Sequence, residues 1–374
     1  MALMFMLLLL HAYIGARLIP DLAFSPLLQW ALAALLLASW LLMPMAFLAR
    51  RIRRQPLSDR LAWAGLLLMG LFSSLFVLTL LRDLLGAAAW VVSLAWPLPA
   101  WLAPASALAV PLLAALLTLW GYVNARRTAQ VVRVDVPIAG LPPALHGFSI
   151  AQISDLHVGP TIKRGYLQAI VARVNALDAD MVAVTGDLVD GSVQHLAVHV
   201  APLAALRSRH GTFFVTGNHE YYSGAQAWID ELRRLGLCVL MNEHVLLRRG
   251  DATLALAGVA DYSAHHFDAA HRSDPQAAIA GAPDEARVRV LLAHQPRSAP
   301  AAAAAGFHLQ LSGHTHGGQF LPWKWFVRLQ QPFTDGLNRW QQLWVYTSRG
   351  TGYWGPPKRL GAPSEITHLR LVAA

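Results

Sequence analysis

One cysteine, Cys238, stands among 374 residues. No disulfide can form within the chain, and no CxxC redox or zinc motif exists. Cys238 lies in the apolar run 237–241, which predicts a buried core thiol. Charge is scarce as well: Asp, Glu, Lys and Arg together make up 14%, too little for an ordinary soluble protein of this length. The sequence has no P-loop motif, G-x-x-x-x-G-K-[ST], and no serine nucleophile elbow. These absences exclude a disulfide-framed secreted domain, a P-loop enzyme and an elbow-type serine hydrolase.

The apolar excess is unevenly spread. Residues 1–127 hold nine Arg, three Asp and no Lys, a net of +6, and 128–374 hold 21 basic and 18 acidic residues, a net of +3, with fifteen of the sixteen His. Arginine between apolar runs points to a bilayer and not to nucleic acid. Segment 1–19 is a short apolar stretch. It lacks the positive start and the cleavage site of a secretory signal and is read as a first membrane helix. Segment 27–49 runs 23 residues without a charge, enough to cross about 30 Å of hydrocarbon. Segments 61–81 and 105–123 follow, the last tolerating Pro111 near its start. Arg82 and Asp83 break the pattern, and 86–96 is expected as an interfacial or bundle-packed piece too short to cross. Arg50, Arg51, Arg53 and Arg54 belong in the cytoplasm by the positive-inside rule, and four crossings bring Arg126 and Arg127 back to that side. The expectation is a multi-pass protein of a bacterial-type inner membrane. Its transmembrane helical region is 1–127, and 128–374 form a cytoplasmic domain.

From residue 128 short apolar runs alternate with helical patterns. Runs at 148–153, 181–185, 212–216, 253–259, 288–292 and 343–347 read as buried strands, and 164–177, 195–208 and 224–235 as helices, which is α/β alternation. Five apolar runs stop in metal-capable residues: Asp155 and His157; Asp187; Asn218; His294; and, after 307–311, His314 and His316. In α/β sheets the carboxyl ends of strands are where sites assemble. In extended backbone residues i and i+2 point the same way, so His314 and His316 are expected to reach one site together. Without a thiolate, a cysteine-type structural zinc is excluded. Mixed imidazole and carboxylate donors suit Mn, Fe, Zn or Ni. Seven ligands exceed what one catalytic ion with an open position uses. They fit two ions about 3.5–4 Å apart sharing a carboxylate, which clamp the attacking and leaving oxygens of a displacement at phosphorus. Asp190 reads either as a carboxylate orienting a ligand or as a helix N-cap. Glu220 reads as holding the tautomer of His219 or as solvated.

The order D-x-H, G-D, G-N-H-[DE], a lone H, then G-H-x-H resembles the calcineurin-like metallophosphoesterase superfamily over roughly residues 146–372. The motifs here are Asp155/His157, Gly186-Asp187, Gly217-Asn218-His219-Glu220, His294 and Gly313-His314-Thr315-His316. The resemblance implies an α/β fold with a β-sandwich core flanked by helices, here preceded by a bundle of about four transmembrane helices. It implies two divalent ions, Mn²⁺ first, with Fe, Zn or Ni as alternatives. One would be bound by Asp155, His157, Asp187 and His316, the other by Asp187, Asn218, His294 and His314. His219 would be the catalytic group facing the substrate. Stretches 217–224, 314–319, 349–350 and 363–366 are similar to a membrane-bound branch that includes phosphodiesterases and UDP-diacylglucosamine pyrophosphatases. The implied activity is hydrolysis of a phosphodiester or pyrophosphate bond in a phosphorylated small molecule or a lipid-linked substrate, with the bilayer as partner and no nucleic acid. The competing class is a non-catalytic membrane sensor or scaffold. Segment 320–345, rich in Trp and Phe, is either a hydrophobic subcore or a flap at the bilayer interface. In the second case Trp323, Trp325 and Phe326 carry the apolar part of the substrate.

Overall fold

The computed structural model describes residues 2–22, 25–52 and 54–374. They divide into two compact units, Met1–Val123 with Gly355–Lys358, and Asn124–Trp354 with Arg359–Ala374.

In the first unit, apolar runs become helices at Ala2–Leu18, Pro26–Leu42, Leu57–Ser93 and Leu102–Arg126. Four spans are long and apolar enough to cross a bilayer: Met4–Leu22, Pro26–Arg51, Leu57–Ser93 and Leu102–Arg126. Small and aliphatic side chains face inward, among them Ile14, Leu18, Leu36, Leu75, Ala107 and Ala114. Leu37, Leu84, Leu116 and Leu119 are exposed, which costs nothing where the surroundings are lipid tails. The expected break at Arg82 and Asp83 does not occur, and most of segment 86–96 continues the third helix to Ser93. Charge by itself does not end a helix, and here the charges are partnered. Arg82 pairs with Asp21 and donates to the Ser106 hydroxyl at 2.9 Å and the Arg17 carbonyl at 2.8 Å. Asp83 accepts from Tyr13 at 2.7 Å and Arg17 at 2.9 Å. These four charges line a cavity of about 750 Å³ with Trp90 and Leu98. Elsewhere buried His11 reaches Ser39 at 3.0 Å and the Leu7 carbonyl at 2.7 Å. Lys358 donates to the Gly70 carbonyl at 3.0 Å, to Thr118 at 3.2 Å and to Ser74.

The second unit holds twelve strands: β1 Gln130–Ile138, β2 Ser149–Ile153, β3 Met181–Val184, β4 Thr212–Phe214, β5 Cys238–Val239, β6 Glu243–Arg249, β7 Ala252–Gly258, β8 Val288–Leu292, β9 Leu309–Ser312, β10 Gly336–Trp340, β11 Leu343–Thr347 and β12 Glu365–Ala373. They form two six-stranded sheets, β1-β12-β2-β3-β4-β5 and β10-β11-β9-β8-β7-β6. Strands β2 to β5 are mutually parallel, as are β7, β8, β9 and β11. One core takes Ile150, Met181, Phe213 and Leu369 from the first sheet and Leu254, Val290, Leu309 and Tyr346 from the second. Their neighbours Ala151, Ile153, Val182 and Phe214 face the other way, onto Leu167, Ile170, Trp228 and Ile229 of helices Arg164–Asn175 and Ala225–Arg234. On the far side Ala255, Leu291 and Val345 meet Ala278 and Ala302. Strands covered on both faces read as continuous apolar runs, which is why β2, β3 and β8 are legible.

Edge strands β1, β6 and β10, and β12 with Thr367, His368 and Arg370, carry mixed residues and escape that reading. Cys238 is exposed, not a core thiol, because β5 is a two-residue edge strand that turns it outward. The helix expected over 195–208 ends at Val200 and tightens into a 3₁₀ turn at Pro202, where a proline offers no N–H. Arg126 donates to the Thr161 carbonyl at 2.8 Å and to Tyr353 at 3.1 Å.

Candidate metal centre

The carboxyl ends of β2, β3 and β4 lie side by side in one sheet, and those of β8 and β9 side by side in the other. After β2, β3 and β9 the chain turns sharply, with φ of 54° at Asp155, 50° at His157, 52° at Asp187, 70° at His314 and 52° at His316. Left-handed backbone is costly for residues with a Cβ and gathers at functional sites. It also overturns the extended-strand argument for His314 and His316. β9 ends at Ser312, so the two imidazoles diverge. His314 Nδ1 lies 3.3 Å from His294 Nε2, whereas His316 Nε2 lies 3.1 Å from His157 Nε2 and 3.4 Å from Asp155 Oδ1. Two glycines admit this crowding: a Cβ at Gly217 would collide with the Asp187 carboxylate, and one at Gly313 with Ser154 and Asp155.

Three groups of donor atoms converge: Asp155, His157 and His316; His157, Asp187 and His219; Asp187, His294 and His314. Asp187 Oδ2 is 3.1 Å from His294 Nε2, 3.8 Å from His157 Nε2 and 4.0 Å from His219 Nε2. The donor atoms could hold two cations on either side of Asp187. Asn218 Oδ1 is buried with no hydrogen-bond partner. An orphaned acceptor costs about 1–3 kcal/mol, and a cation beside it removes that cost. Burial, then His294, lowers the pKa of His314 to about 3, and burial and His157 hold His316 well below the usual histidine value. Both imidazoles are therefore neutral, the form that ligates. All seven sequence-predicted ligands, Asp155, His157, Asp187, Asn218, His294, His314 and His316, are brought to this edge of the sandwich.

His219 stands on the first turn of helix Asn218–Ser223. Its backbone N–H donates to Asp187 Oδ1 at 2.9 Å and its Nδ1 lies 2.6 Å from Asp190 Oδ1. Burial opposes a charge there, but Asp187, Asp190 and Glu220 outweigh it and raise the pKa to about 9. Cations bound beside Asp187 would pull that value down. Asp190 also sits 3.1 Å from His157 Nδ1, so it orients two imidazoles and is not a helix cap. Glu220 neither touches the His219 ring nor meets solvent. It is fully buried and accepts from the backbone N–H of Gly217, Asp187 and Leu188 at 2.6, 3.0 and 2.8 Å. Reaching back to the N-cap backbone, the Glu220 side chain stitches β3's turn to the helix that carries His219.

Two residues escaped the sequence reading. Arg359 is almost fully buried and donates to the carbonyls of His316, Arg349 and Ala362 at 2.9, 2.7 and 3.1 Å, with Nη2 3.3 Å from His316 Nδ1. Tyr222 lies in ring contact with His219 at 5.2 Å. Its spacing three residues after His219 on a helix was the available signal. Trp323, Trp325 and Phe326 are exposed around helix Lys324–Val327, so they form no subcore. Phe320 is buried, and Phe333 packs against Trp340 at 6.4 Å.

A model of the calcineurin-like phosphoesterase family matches residues 148–318. An uncharacterised metallophosphoesterase of Aquifex aeolicus is 32% identical over 219 residues, covering 58% of this chain and 82% of that protein. The chain belongs to the calcineurin-like metallophosphoesterase family. Among its relatives in the family is a transmembrane protein with metallophosphoesterase domain from Danio rerio, 38% identical over 271 residues, 70% of this chain and 62% of that one. Its counterpart in Bos taurus is 42% identical over 271 residues, 69% of this chain and 60% of that one. The metallophosphoesterase chain thus spans about three fifths of the length of these relatives. With four candidate spans as well, it is a membrane protein of this family.

Proposed function

We propose that the chain is a membrane-anchored, binuclear-metal phosphoesterase that hydrolyses a phosphodiester or pyrophosphate bond of a substrate with a lipid-linked portion. Residues 1–127 are the anchor and 128–374 the catalytic domain. The observation that carries this reading is the convergence of three donor triads, two of which share Asp187, beside an orphaned Asn218 oxygen. Asp155, His157, Asp187 and His316 hold one ion, and Asp187, Asn218, His294 and His314 the other, with Mn²⁺ first among the metals. When bound, such a pair supplies Lewis-acid charge stabilisation and an activated water. The protein's own part is to keep five of the seven donors at fixed left-handed turns, to hold Asp187 between both groups, and to present His219. Held by Asp190, His219 carries a proton for the departing oxygen. A complete donor set with His219 in place argues against a non-catalytic sensor or scaffold.

The exposed Leu321, Trp323, Trp325, Phe326 and Leu329, directly after the His316 turn, support an amphiphilic substrate. Exposed apolar patches rimmed by polar groups mark lipid or partner contacts. The arginines at 50–54 support a cytoplasmic catalytic domain in a bacterial-type inner membrane. The test is a turnover screen of the full chain in detergent with Mn²⁺, against phosphomonoesters, soluble diesters and acylated nucleotide-linked diphosphates. Hydrolysis confined to monoesters, or absent from all, overturns the reading. A reporter fused after Ala374 should read as cytoplasmic. A periplasmic signal would reverse the assigned orientation.

A further inference from the structure

Beside His219 the surface holds three aromatic rings that the chemistry at the metals does not use. Tyr222, Phe267 and Trp354 are 61%, 52% and 43% exposed. Tyr222 and Trp354 flank the His219 ring at 5.2 and 5.6 Å, and Phe267 lies 5.5 Å beyond Tyr222. None is stacked on its neighbour: the interplanar angles are 71°, 73° and 67°. Each ring still keeps part of its surface exposed, which a ligand can cover. Each ring is held by built structure. Tyr222 shares a helix face with His219, three residues away. Phe267 ends a 3₁₀ turn rooted on buried Ala264 and also touches Tyr221 at 5.7 Å. The backbone of Trp354 is gripped at both polar groups by the Gln319 amide, at 2.8 and 2.9 Å.

We propose that these three rings form the subsite for the leaving group, and that this group carries a flat aromatic ring next to the scissile oxygen. The inference rests on the reading of His219 as the proton donor to that oxygen. Hydrolysis breaks the bond from phosphorus to the leaving oxygen. Water's oxygen takes that place on phosphorus, and the departing oxygen leaves with the His219 proton. Whatever is attached to that oxygen lies against the rings that wall His219. Exposed rings set edge-on to one another suit a planar ring, which stacks or packs edge-to-face, better than a flexible acyl chain, which needs a continuous apolar trough. The helix Lys324–Val327, with Trp325 and Phe326, stays available to the other half of the substrate.

The experiment pairs catalysis with binding on the full chain in detergent with Mn²⁺. In turnover, wild type should prefer a diester with an aryl leaving group over one with a short alkyl leaving group of matched acidity by about ten-fold in kcat/KM, mainly through KM. Tyr222→Ala and Phe267→Ala should erase most of that preference, and Tyr222→Phe should restore it. By calorimetry, phenylphosphonate should bind wild type about ten-fold more tightly than methylphosphonate, and the two alanine variants should lose the difference. If no phosphoester is turned over but the phenyl preference in binding persists, the hydrolytic reading fails and the aromatic subsite stands. Equal binding of the two phosphonates in wild type, or a preference that survives both alanine variants, overturns the subsite. Tighter binding of octylphosphonate than of phenylphosphonate overturns the ring and assigns the walls to a lipid chain.

Discussion

The two halves of the proposed metal centre are supported in different ways. Around His157 and His316 the supporting groups are charged side chains from distant segments: Asp190 on His157 Nδ1, and Arg359 on the carbonyl and Nδ1 of His316. Around His294 the support is backbone, with Nδ1 meeting the Thr185 carbonyl at 2.8 Å, and Asn218 offers an oxygen with no protein partner. Charged supports reach across the fold and fail singly when substituted. A carbonyl support persists as long as the strand does. In the proposed assignment only Asp187 belongs to both halves, so the asymmetry can be broken at one residue or sharpened at several.

The largest effect is expected at that shared residue. Asp187→Ala should empty both halves and abolish hydrolysis. Metal analysis finding two equivalents in the variant would show that the halves are independent. Next comes His219→Ala, which touches neither half as a ligand. It should retain both ions yet lower kcat on the order of 10²-fold or more, with a smaller loss for p-nitrophenol esters, whose leaving oxygen needs no proton. An equal loss for good and poor leaving groups would reduce His219 to charge stabilisation.

Smaller effects should separate the halves. Asp190→Asn and Arg359→Lys should weaken one Mn²⁺ site by about 10–100-fold and spare the other, since orienting groups tune affinity to that degree. Asn218→Ala should do the reverse. Titration followed by electron paramagnetic resonance would read this, and parallel weakening of both sites in all three variants would dissolve the comparison. The mildest perturbation is chelation of the wild type. Saturation at about 100 Kd contributes about 2.7 kcal/mol, so removing the ions should lower Tm in one step if the halves empty together and in two if they do not. An unchanged Tm would mean that the seven donors hold no metal in solution.

Legibility followed environment. Buried parallel strands announce themselves because both faces are apolar, as at Ile150 and Ala151 of β2. The donors that follow them were legible because side chains that bind metals are rare at the ends of apolar runs. β12 was not, because Thr367, His368 and Arg370 interrupt its apolar residues. Glu220 was not, since its partners are backbone N–H groups that no residue type specifies. Arg359 follows His316 by 43 residues, and nothing local distinguishes it from a surface arginine.

The sequence by itself determined the membrane-embedded start, the α/β alternation and the choice of seven candidate donors with His219. Composition and residue order act locally, through transfer to lipid, strand burial and the chemistry of each side chain. Only the tertiary structure decided which donors share a half. His314 and His316 part because their strand ends before them and the backbone turns left-handed. It also decided that Asp190 serves two imidazoles, that Arg359 braces His316, and that Tyr222 and Trp354 wall His219 with Phe267 beyond Tyr222. These depend on segments far apart in the chain meeting at one edge of two sheets, and that meeting is set by packing across the whole domain.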